Sequence, residues 1–157
     1  MAGTTPENPT AQVSLREITG ETVLAICRLS DTLSEPQKRM VAPNAISIAQ
    51  AHFSQHAWFR AIYADEEPVG FIMLYDNPDE PTYFLWRLMI AAPHQRKGYG
   101  RKAIEHLIEY VRTRPVATEL LVSCGEGEDS PEGFYRSLGF RRNGRMEGHE
   151  VVLSLTL

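Results

Sequence analysis

Two glycines and a group of basic residues lie together at the start of the clearest predicted helix. The segment Gln95-Arg96-Lys97-Gly98-Tyr99-Gly100 follows an apolar strand, and Arg101 lies in the first turn of the helix. Glycines let a ligand approach the main chain, and the unpaired N–H groups of a helix N-terminus favour an anion. The segment therefore predicts a binding site for a diphosphate. The alternative is a glycine-containing turn before a helix with a basic first turn.

A second segment, Gly133-Phe134-Tyr135-Arg136-Ser137-Leu138-Gly139-Phe140, holds a tyrosine in a short predicted helix. Helical spacing places Phe134 and Leu138 on one face and Tyr135 on a neighbouring one. A phenol is a possible general acid. The alternative is a packed aromatic residue whose hydroxyl has a hydrogen-bond partner. From this segment alone, both interpretations stay open.

Alternating strands and helices must position these two segments. The stretch 83–90 is nearly continuously apolar, interrupted only by Arg87, which predicts a central strand buried on both faces. The helix 98–112 carries an apolar stripe on one face and a predicted Arg101–Glu105 ion pair on the other. Other strands are predicted over 13–17, 58–64, 69–75, 119–124 and 151–156, and other helices over 21–29 and from Ser34, Asn44 (as the helix cap) and Pro131. The order predicts an α/β domain with a mixed sheet.

Composition narrows the class of protein. The chain has 157 residues, 43% of them hydrophobic, and a net charge of −4, which predicts one globular domain over 12–157 after a disordered leader at 1–11. No membrane span, signal peptide or paired-cysteine motif is expected, which favours a cytoplasmic location. The net acidic charge makes nucleic acid a poor partner. No metal is expected, because the two widely separated cysteines exclude a thiolate zinc site.

Taken together, the two segments resemble the GNAT N-acetyltransferase superfamily. Its signature is a strand, the loop Q/R-x-x-G-x-G/A, a helix, a second strand and a helix ending in F-Y-x-x-L-G-F. The matching segments here are 85–90, 95–100, 101–112, 120–124 and 134–140. A closer resemblance is to bacterial diamine (spermine/spermidine) acetyltransferases, through Leu85-Trp86-Arg87-Leu88-Met89-Ile90 and the upstream residues Gln37, Val41, Ala42, Asn44 and Ser47.

The resemblance implies a fold, a co-substrate and a reaction. It implies a mostly antiparallel central sheet flanked by helices, with strands 83–90 and 119–124 splayed to admit acetyl-CoA. Main-chain groups of Leu88, Met89 and Ile90 would bind the pantetheine and the thioester, and the loop from Gln95 to Arg101 would hold the diphosphate. Tyr135 would protonate the departing thiolate. The acetyl group would pass directly to a primary amine, implied to be a polyamine or diamine such as spermidine or spermine.

Two positions depart from the family pattern. Glu128 stands where these acetyltransferases often carry an asparagine, seven residues before the tyrosine. Trp86 stands where related eukaryotic diamine acetyltransferases carry a carboxylate that acts as the general base, nine residues before the first residue of the loop. The general base is therefore left open among Glu35, Glu150, His94 and a water chain.

The acceptor is the least constrained part of the interpretation. A polyamine site needs carboxylates and aromatic faces. The stretches 31–35 and 65–80 offer carboxylates, and Trp58, Trp86 and Tyr75 offer aromatic faces; Asp31, Glu35 and Trp86 are the first candidates among them. The alternatives are another amine (an aminoglycoside, an amino acid or a peptide N-terminus) or a non-catalytic acyl-CoA sensor. The sequence leaves open whether the chain is a monomer or a homodimer.

Overall fold

The computed structural model describes residues 11–157, which form seven strands, five α-helices and two short 3-10 helices (Leu29–Thr32 and Ala92–His94). The strands are β1 (Val13–Arg16), β2 (Ala57–Ala64), β3 (Glu67–Tyr75), β4 (Thr82–Ile90), β5 (Glu119–Cys124), β6 (Arg141–Glu147) and β7 (Glu150–Thr156). The helices are α1 (Val23–Arg28), α2 (Glu35–Lys38), α3 (Asn44–His52), α4 (Tyr99–Arg112) and α5 (Glu132–Ser137). The leader predicted over 1–11 lies outside the described residues except for Ala11, which is buried in the core.

All seven strands join one sheet in the order β1-β2-β3-β4-β5-β7-β6. Every neighbouring pair is antiparallel except β4 and β5, which are parallel. The predicted α/β fold with a mixed, mostly antiparallel sheet is therefore confirmed. None of the helices between residues 11 and 157 is long and apolar enough to cross a membrane.

The two parallel strands separate halfway along β4. They pair from Thr82↔Glu119 to Leu85↔Val122, and the rest of β4 pairs only with β3, as far as Gly70↔Ile90. From Trp86 onward, the edge of β4 that faces β5 is therefore open. This gap is the predicted splay of the two central strands.

Each face of the sheet is covered by different helices. The α4 face carries a core cluster that includes Ile104 and Leu107 of α4, Val122 and Tyr135. The opposite face, here called the α1 face, carries a cluster with Ile26 of α1, Phe71, Met73 and Met89. Because side chains alternate along a strand, neighbouring residues of β4 serve the two clusters in turn. This explains the nearly continuous apolar sequence of the strand.

Several local predictions differ from the structure. The strand β6 was not predicted. All seven of its residues are exposed, so its sequence lacks the alternation of apolar and polar residues that indicates a strand with one buried face. Asn44 was expected to cap α3 but is fully buried, and its side-chain amide donates to the Ile26 carbonyl at 2.8 Å. Arg101 donates to Ser137 Oγ at 2.8 Å instead of pairing with Glu105. In each case a tertiary contact replaces the local one.

Gly70 allows β3 and β4 to approach closely, which gives a stability prediction. A Cβ at this position would lie 2.3 Å from the main-chain oxygen of Met89, so Gly70→Ala must push the strands apart. We expect a loss of about 1–3 kcal/mol in the free energy of unfolding, measured by urea denaturation. Gly133→Ala in α5 is the matched control, because nothing lies within 4 Å of its added Cβ. A Gly70→Ala protein as stable as the control would contradict the prediction.

Candidate active site

An open cavity of about 1820 Å³ lies at the gap between β4 and β5. It is lined by the second half of β4, the loop and first turn before and within α4, the end of β5, and residues of α5, β6 and β7. The cavity therefore gathers both segments that the sequence singled out.

The loop before α4 has the geometry of an anion site. Arg96 and Gly98 adopt left-handed backbone conformations, with φ of 63° and 83°. The N–H groups of Tyr99, Gly100 and Arg101 point from the first turn of α4 without an acceptor among residues 11–157. Such a turn of main-chain N–H groups at a helix N-terminus attracts phosphate.

The predicted residues of this loop differ in their roles. Arg96 and Arg101 line the cavity with the glycines and Tyr99, whereas Lys97 is not part of its lining. The Gln95 side chain donates to the main-chain oxygen of Ile90 at 2.8 Å and accepts from Gln37 Nε2 at 3.0 Å. Gln95 therefore joins α2 to the end of β4 and fixes the loop.

The open edge of β4 is the third part of the cavity. Leu88, Met89 and Ile90 all line it. The Met89 side chain packs in the cluster on the α1 face, while Leu88 and Ile90 pack against the α4 face. Side chains on both faces hold this stretch in place, which leaves its edge free to hydrogen-bond an extended ligand as a missing strand would.

Tyr135 lies on α5 beside the gap and is 6% exposed. Its ring packs against Phe134 and Phe140, with centroids 5.3 and 5.7 Å away. Burial, with smaller contributions from Cys124 and Glu150, holds the pKa of the Tyr135 hydroxyl far above its usual range. The hydroxyl has no hydrogen-bond partner in the described part of the chain. Tyr135 is therefore a protonated donor available to a ligand in the cavity.

The cavity connects the two faces of the sheet through the gap. Cys124 and Tyr135 belong to the cluster on the α4 face. Strand alternation places Glu150, which is one residue before the buried Val151 of that cluster, toward the α1 face. A ligand bound against α4 and one entering from the α1 face would meet in the gap.

The three side chains left open as general base occupy different surroundings. Glu150 lines the cavity, and its Oε1 accepts from Ser123 Oγ at 3.3 Å. His94 also lines the cavity but lies 3.5 Å from Glu67. Glu35 is exposed, lies 3.7 Å from Lys38 Nζ and does not line the cavity. Of the three, only Glu150 lines the cavity without an ionic partner within 4 Å among the described residues.

Only some of the predicted acceptor residues are brought together, because Tyr75 and Glu80 line the main cavity with Trp86 and the others do not. Trp86 lines the main cavity, whereas Asp31 lines a second, smaller cavity of about 200 Å³. Glu35 lines neither cavity, and neither does Glu128. Within residues 11–157, no group of three or more His, Cys, Asp or Glu side chains is arranged to hold a metal ion.

Arg87 is a site residue that the sequence analysis did not assign. It lines the cavity from β4, one position beyond Trp86. The available signal was a single charged residue within an otherwise apolar central strand.

The chain is similar to known acetyltransferases in sequence and in fold. Residues 23–140 match the family described as the Acetyltransferase (GNAT) family. The [Ribosomal protein bS18]-alanine N-acetyltransferase of Salmonella typhimurium is 33% identical over 101 residues, which is 60% of this chain and 66%, just under two thirds, of that enzyme.

Two solved structures show the likeness of fold. An acetyltransferase from Thermus thermophilus superimposes with a TM-score of 0.76 at 17% identity, over 93% of this chain and 97% of that chain. A GNAT family acetyltransferase from Elizabethkingia anophelis with acetyl-CoA bound gives a TM-score of 0.66 at 17% identity, over 92% and 98% of the two chains.

Proposed function

This chain belongs to the GNAT acetyltransferase family, and from that premise we propose that it transfers the acetyl group of acetyl-CoA directly to a primary amine. The observation that carries the proposal is the gap between β4 and β5, which has an anion-binding loop at one end and the buried hydroxyl of Tyr135 beside it. Acetyl-CoA is itself a chain with a diphosphate at one part and a thioester at its end. The cavity offers a matching group for each.

In the proposed complex, acetyl-CoA lies on the α4 face of the gap. Main-chain N–H groups from Arg96 to Arg101 hold the diphosphate, and the Arg96 and Arg101 side chains add positive charge. The pantetheine arm lies along the open edge of β4 at Leu88, Met89 and Ile90. The relative from Elizabethkingia anophelis, whose structure holds acetyl-CoA, supports this placement through its shared fold.

The proposed chemistry proceeds without a covalent intermediate on the protein. The amine nitrogen attacks the thioester carbonyl carbon from the α1 face, and Glu150 accepts a proton from that nitrogen. Main-chain N–H groups at the free edge of β4 stabilise the oxyanion of the tetrahedral intermediate. The carbon–sulfur bond then breaks, and Tyr135 gives its proton to the CoA thiolate. After product release, Glu150 gives its proton to solvent and Tyr135 takes one from solvent, which returns both groups to their starting states.

The polyamine acceptor gains little support from the cavity. A polyamine has several positive charges, whereas Asp31 and Glu35 lie away from the main cavity. The main cavity has as many arginines as carboxylates in its lining: Arg39, Arg87, Arg96, Arg101 and Arg145 against Glu80, Glu126, Asp129, Glu147 and Glu150. The sequence relative from Salmonella typhimurium acts, by its name, on an alanine of a ribosomal protein. An α-amine, from an amino acid or a peptide N-terminus, is therefore the acceptor we favour over a polyamine.

The test of this function is release of the CoA thiol from acetyl-CoA in the presence of a panel of amines. The panel contains spermidine, an aminoglycoside, free alanine, alaninamide and a short peptide with an N-terminal alanine. We expect amine-dependent thiol release with at least one α-amine. Binding of acetyl-CoA without turnover of any amine would instead favour the acyl-CoA sensor. A homodimer and a cytoplasmic location stay predictions, which sedimentation and cell fractionation test.

Gly100 provides a direct test of the cofactor site. An added Cβ would lie 3.5 Å from Phe134 Cζ and 3.7 Å from Ile90 Cγ1, which is ordinary contact, so Gly100→Ala should fit. Gly100→Val adds two more methyl groups beyond that Cβ, at a position that lines the cavity beside the free N–H groups of α4. We expect the affinity for CoA, measured by calorimetry, to fall by at least about tenfold, a change of ~1.4 kcal/mol.

Gly100→Ala is the matched control and should bind CoA nearly as tightly as the wild type. The intrinsic helix preference of valine differs from that of alanine by only about 0.6 kcal/mol, so both variants should fold. Unchanged CoA affinity in a folded Gly100→Val protein would place the diphosphate elsewhere.

A further inference from the structure

Arg87 is the only charged residue in β4, and it lies where that strand has left β5. The pairing between β3 and β4 shifts at this point, since Met73 faces Arg87 while Leu74 faces Leu85, which leaves Trp86 as the extra residue. Alternation along the strand then places Arg87 with Met89, on the α1 face. Arg87 therefore lines the part of the cavity through which the acceptor amine would enter.

The Arg87 guanidinium is held in place but not neutralised. Its Nη1 donates to the Trp86 main-chain oxygen at 3.0 Å, and its Nη2 donates to Gln50 Oε1 of α3 at 3.2 Å. Its Nε is buried without a partner, and no carboxylate of residues 11–157 lies within 4 Å of the group. Burial lowers the pKa of Arg87 from its ordinary value, but an arginine stays charged. A partly buried cation without a counter-ion is costly, and an oxygen ligand would relieve that cost.

Glu150 gives the site a second charge of opposite sign. It lines the same cavity as Arg87, and its negative charge partly offsets the lowering of the Arg87 pKa by burial. An acceptor that carries both an amine and an oxygen would offer a partner to each of the two groups. A simple alkylamine would satisfy only Glu150.

We propose that Arg87 binds the oxygen of a carboxylate or amide carbonyl on the carbon that carries the acceptor amine. The inference rests on the proposed acetyl transfer and deepens it, because it makes the α-carbonyl group the feature that the enzyme selects. Arginine suits this role, since its planar fork of N–H donors matches carboxylate and carbonyl oxygens. A free amino acid and a peptide N-terminus share this chemistry.

The experiment compares acceptors that differ only in that group. Alanine has the carboxylate, alaninamide has the neutral carbonyl, and 2-aminopropane has neither. For each variant, kcat/KM with each amine is divided by the wild-type value for the same amine, so the intrinsic reactivity of the amines cancels. We expect Arg87→Gln to lower the ratio for alanine or alaninamide about 10- to 100-fold more than for 2-aminopropane. A larger loss of kcat/KM for alanine than for alaninamide would identify the acceptor as a free amino acid. A larger loss for alaninamide would identify it as a peptide N-terminus.

Arg145→Gln is the matched control, because Arg145 lines the same cavity from β6 and the substitution removes the same charge. Arg145→Gln should change kcat/KM by the same factor for all three amines. Arg87→Lys keeps the positive charge but loses the planar set of N–H donors. It should therefore retain only part of the preference for alanine or alaninamide over 2-aminopropane. Two results would overturn the assignment of Arg87. In one, Arg87→Gln lowers kcat/KM by the same factor for all three amines. In the other, Arg145→Gln lowers kcat/KM for alanine or alaninamide, relative to 2-aminopropane, as much as Arg87→Gln does.

A binding measurement separates this inference from the proposed function. CoA joined through an acetyl linker to alaninamide or to 2-aminopropane mimics the two acceptors without any turnover. We expect wild-type protein to bind the alaninamide conjugate at least about tenfold more tightly and Arg87→Gln to lose that preference. Absence of CoA binding would contradict the proposed function itself. Equal binding of the two conjugates by the wild type would contradict only the role of Arg87.

Discussion

Replacing Tyr135 with phenylalanine is expected to lower kcat by about 10- to 10³-fold and to leave the affinity for acetyl-CoA nearly unchanged. The ring packs against Phe134 and Phe140, and phenylalanine keeps that packing. The substitution removes only the hydroxyl, which has no partner within residues 11–157 and a pKa held far above its usual range by burial. A hydroxyl in those surroundings keeps its proton until a stronger base, such as a newly formed thiolate, takes it.

The dependence on the leaving group distinguishes proton transfer from a general disturbance of the site. A thioester whose thiol has a lower pKa needs less help from an acid, so the loss caused by Tyr135→Phe should shrink with it. Tyr110→Phe is the matched control. The Tyr110 hydroxyl donates to Asp76 Oδ2 at 2.6 Å outside the cavity, so this variant should lose stability but not kcat. Wild-type kcat for Tyr135→Phe, measured where chemistry limits the rate, would leave Tyr135 as a packing residue.

The central elements of the fold were predictable because their patterns are local and strong. The apolar sequence of β4 has only one interruption, and α4 has a regular apolar stripe that includes the buried residues Ile104, Leu107 and Val111. Such patterns arise directly from burial on one or both faces, so they survive in the sequence. The loop before α4 was visible through its two glycines, and Gly98 adopts a left-handed conformation that glycine allows without steric cost.

The edge of the sheet and the acceptor side were harder to predict because they depend on distant contacts. The strand β6 has seven exposed residues and is fixed only by pairing with β7, which no local pattern reveals. Asp31 and Glu35 look suitable as carboxylates in sequence, but the turn after α1 and the helix α2 place both outside the main cavity. Charge alone cannot tell which side of a loop a residue faces.

The hydrogen bond between Ser123 and Glu150 could not be predicted from the sequence for a similar reason. The two residues are 27 positions apart and meet because β7 lies beside β5, with Ser123 opposite Val152. Sequence reasoning could name Glu150 as one possible base but could not rank it. The structure places Glu150 at the gap because β7 lies next to β5 in the sheet.

Glu150→Gln is expected to lower kcat/KM for the acceptor amine by about 10²- to 10⁴-fold, the range typical of a lost general base. Glutamine has nearly the same shape and can still accept the hydrogen bond from Ser123 Oγ, which spans 3.3 Å in the wild type. What it loses is the ability to take a proton from the attacking nitrogen. Because the diphosphate and pantetheine contacts lie on other elements, calorimetry should show nearly unchanged affinity for CoA.

Two comparisons test whether the effect is due to proton transfer. Glu147→Gln removes the same charge from the lining of the same cavity, so it measures the purely electrostatic loss and should cost far less activity. A weakly basic amine reaches the site already neutral, so the loss caused by Glu150→Gln should shrink as the basicity of the acceptor falls. If both variants lost activity equally with every amine, Glu150 would act through its charge alone, and the proton would leave by way of water or His94.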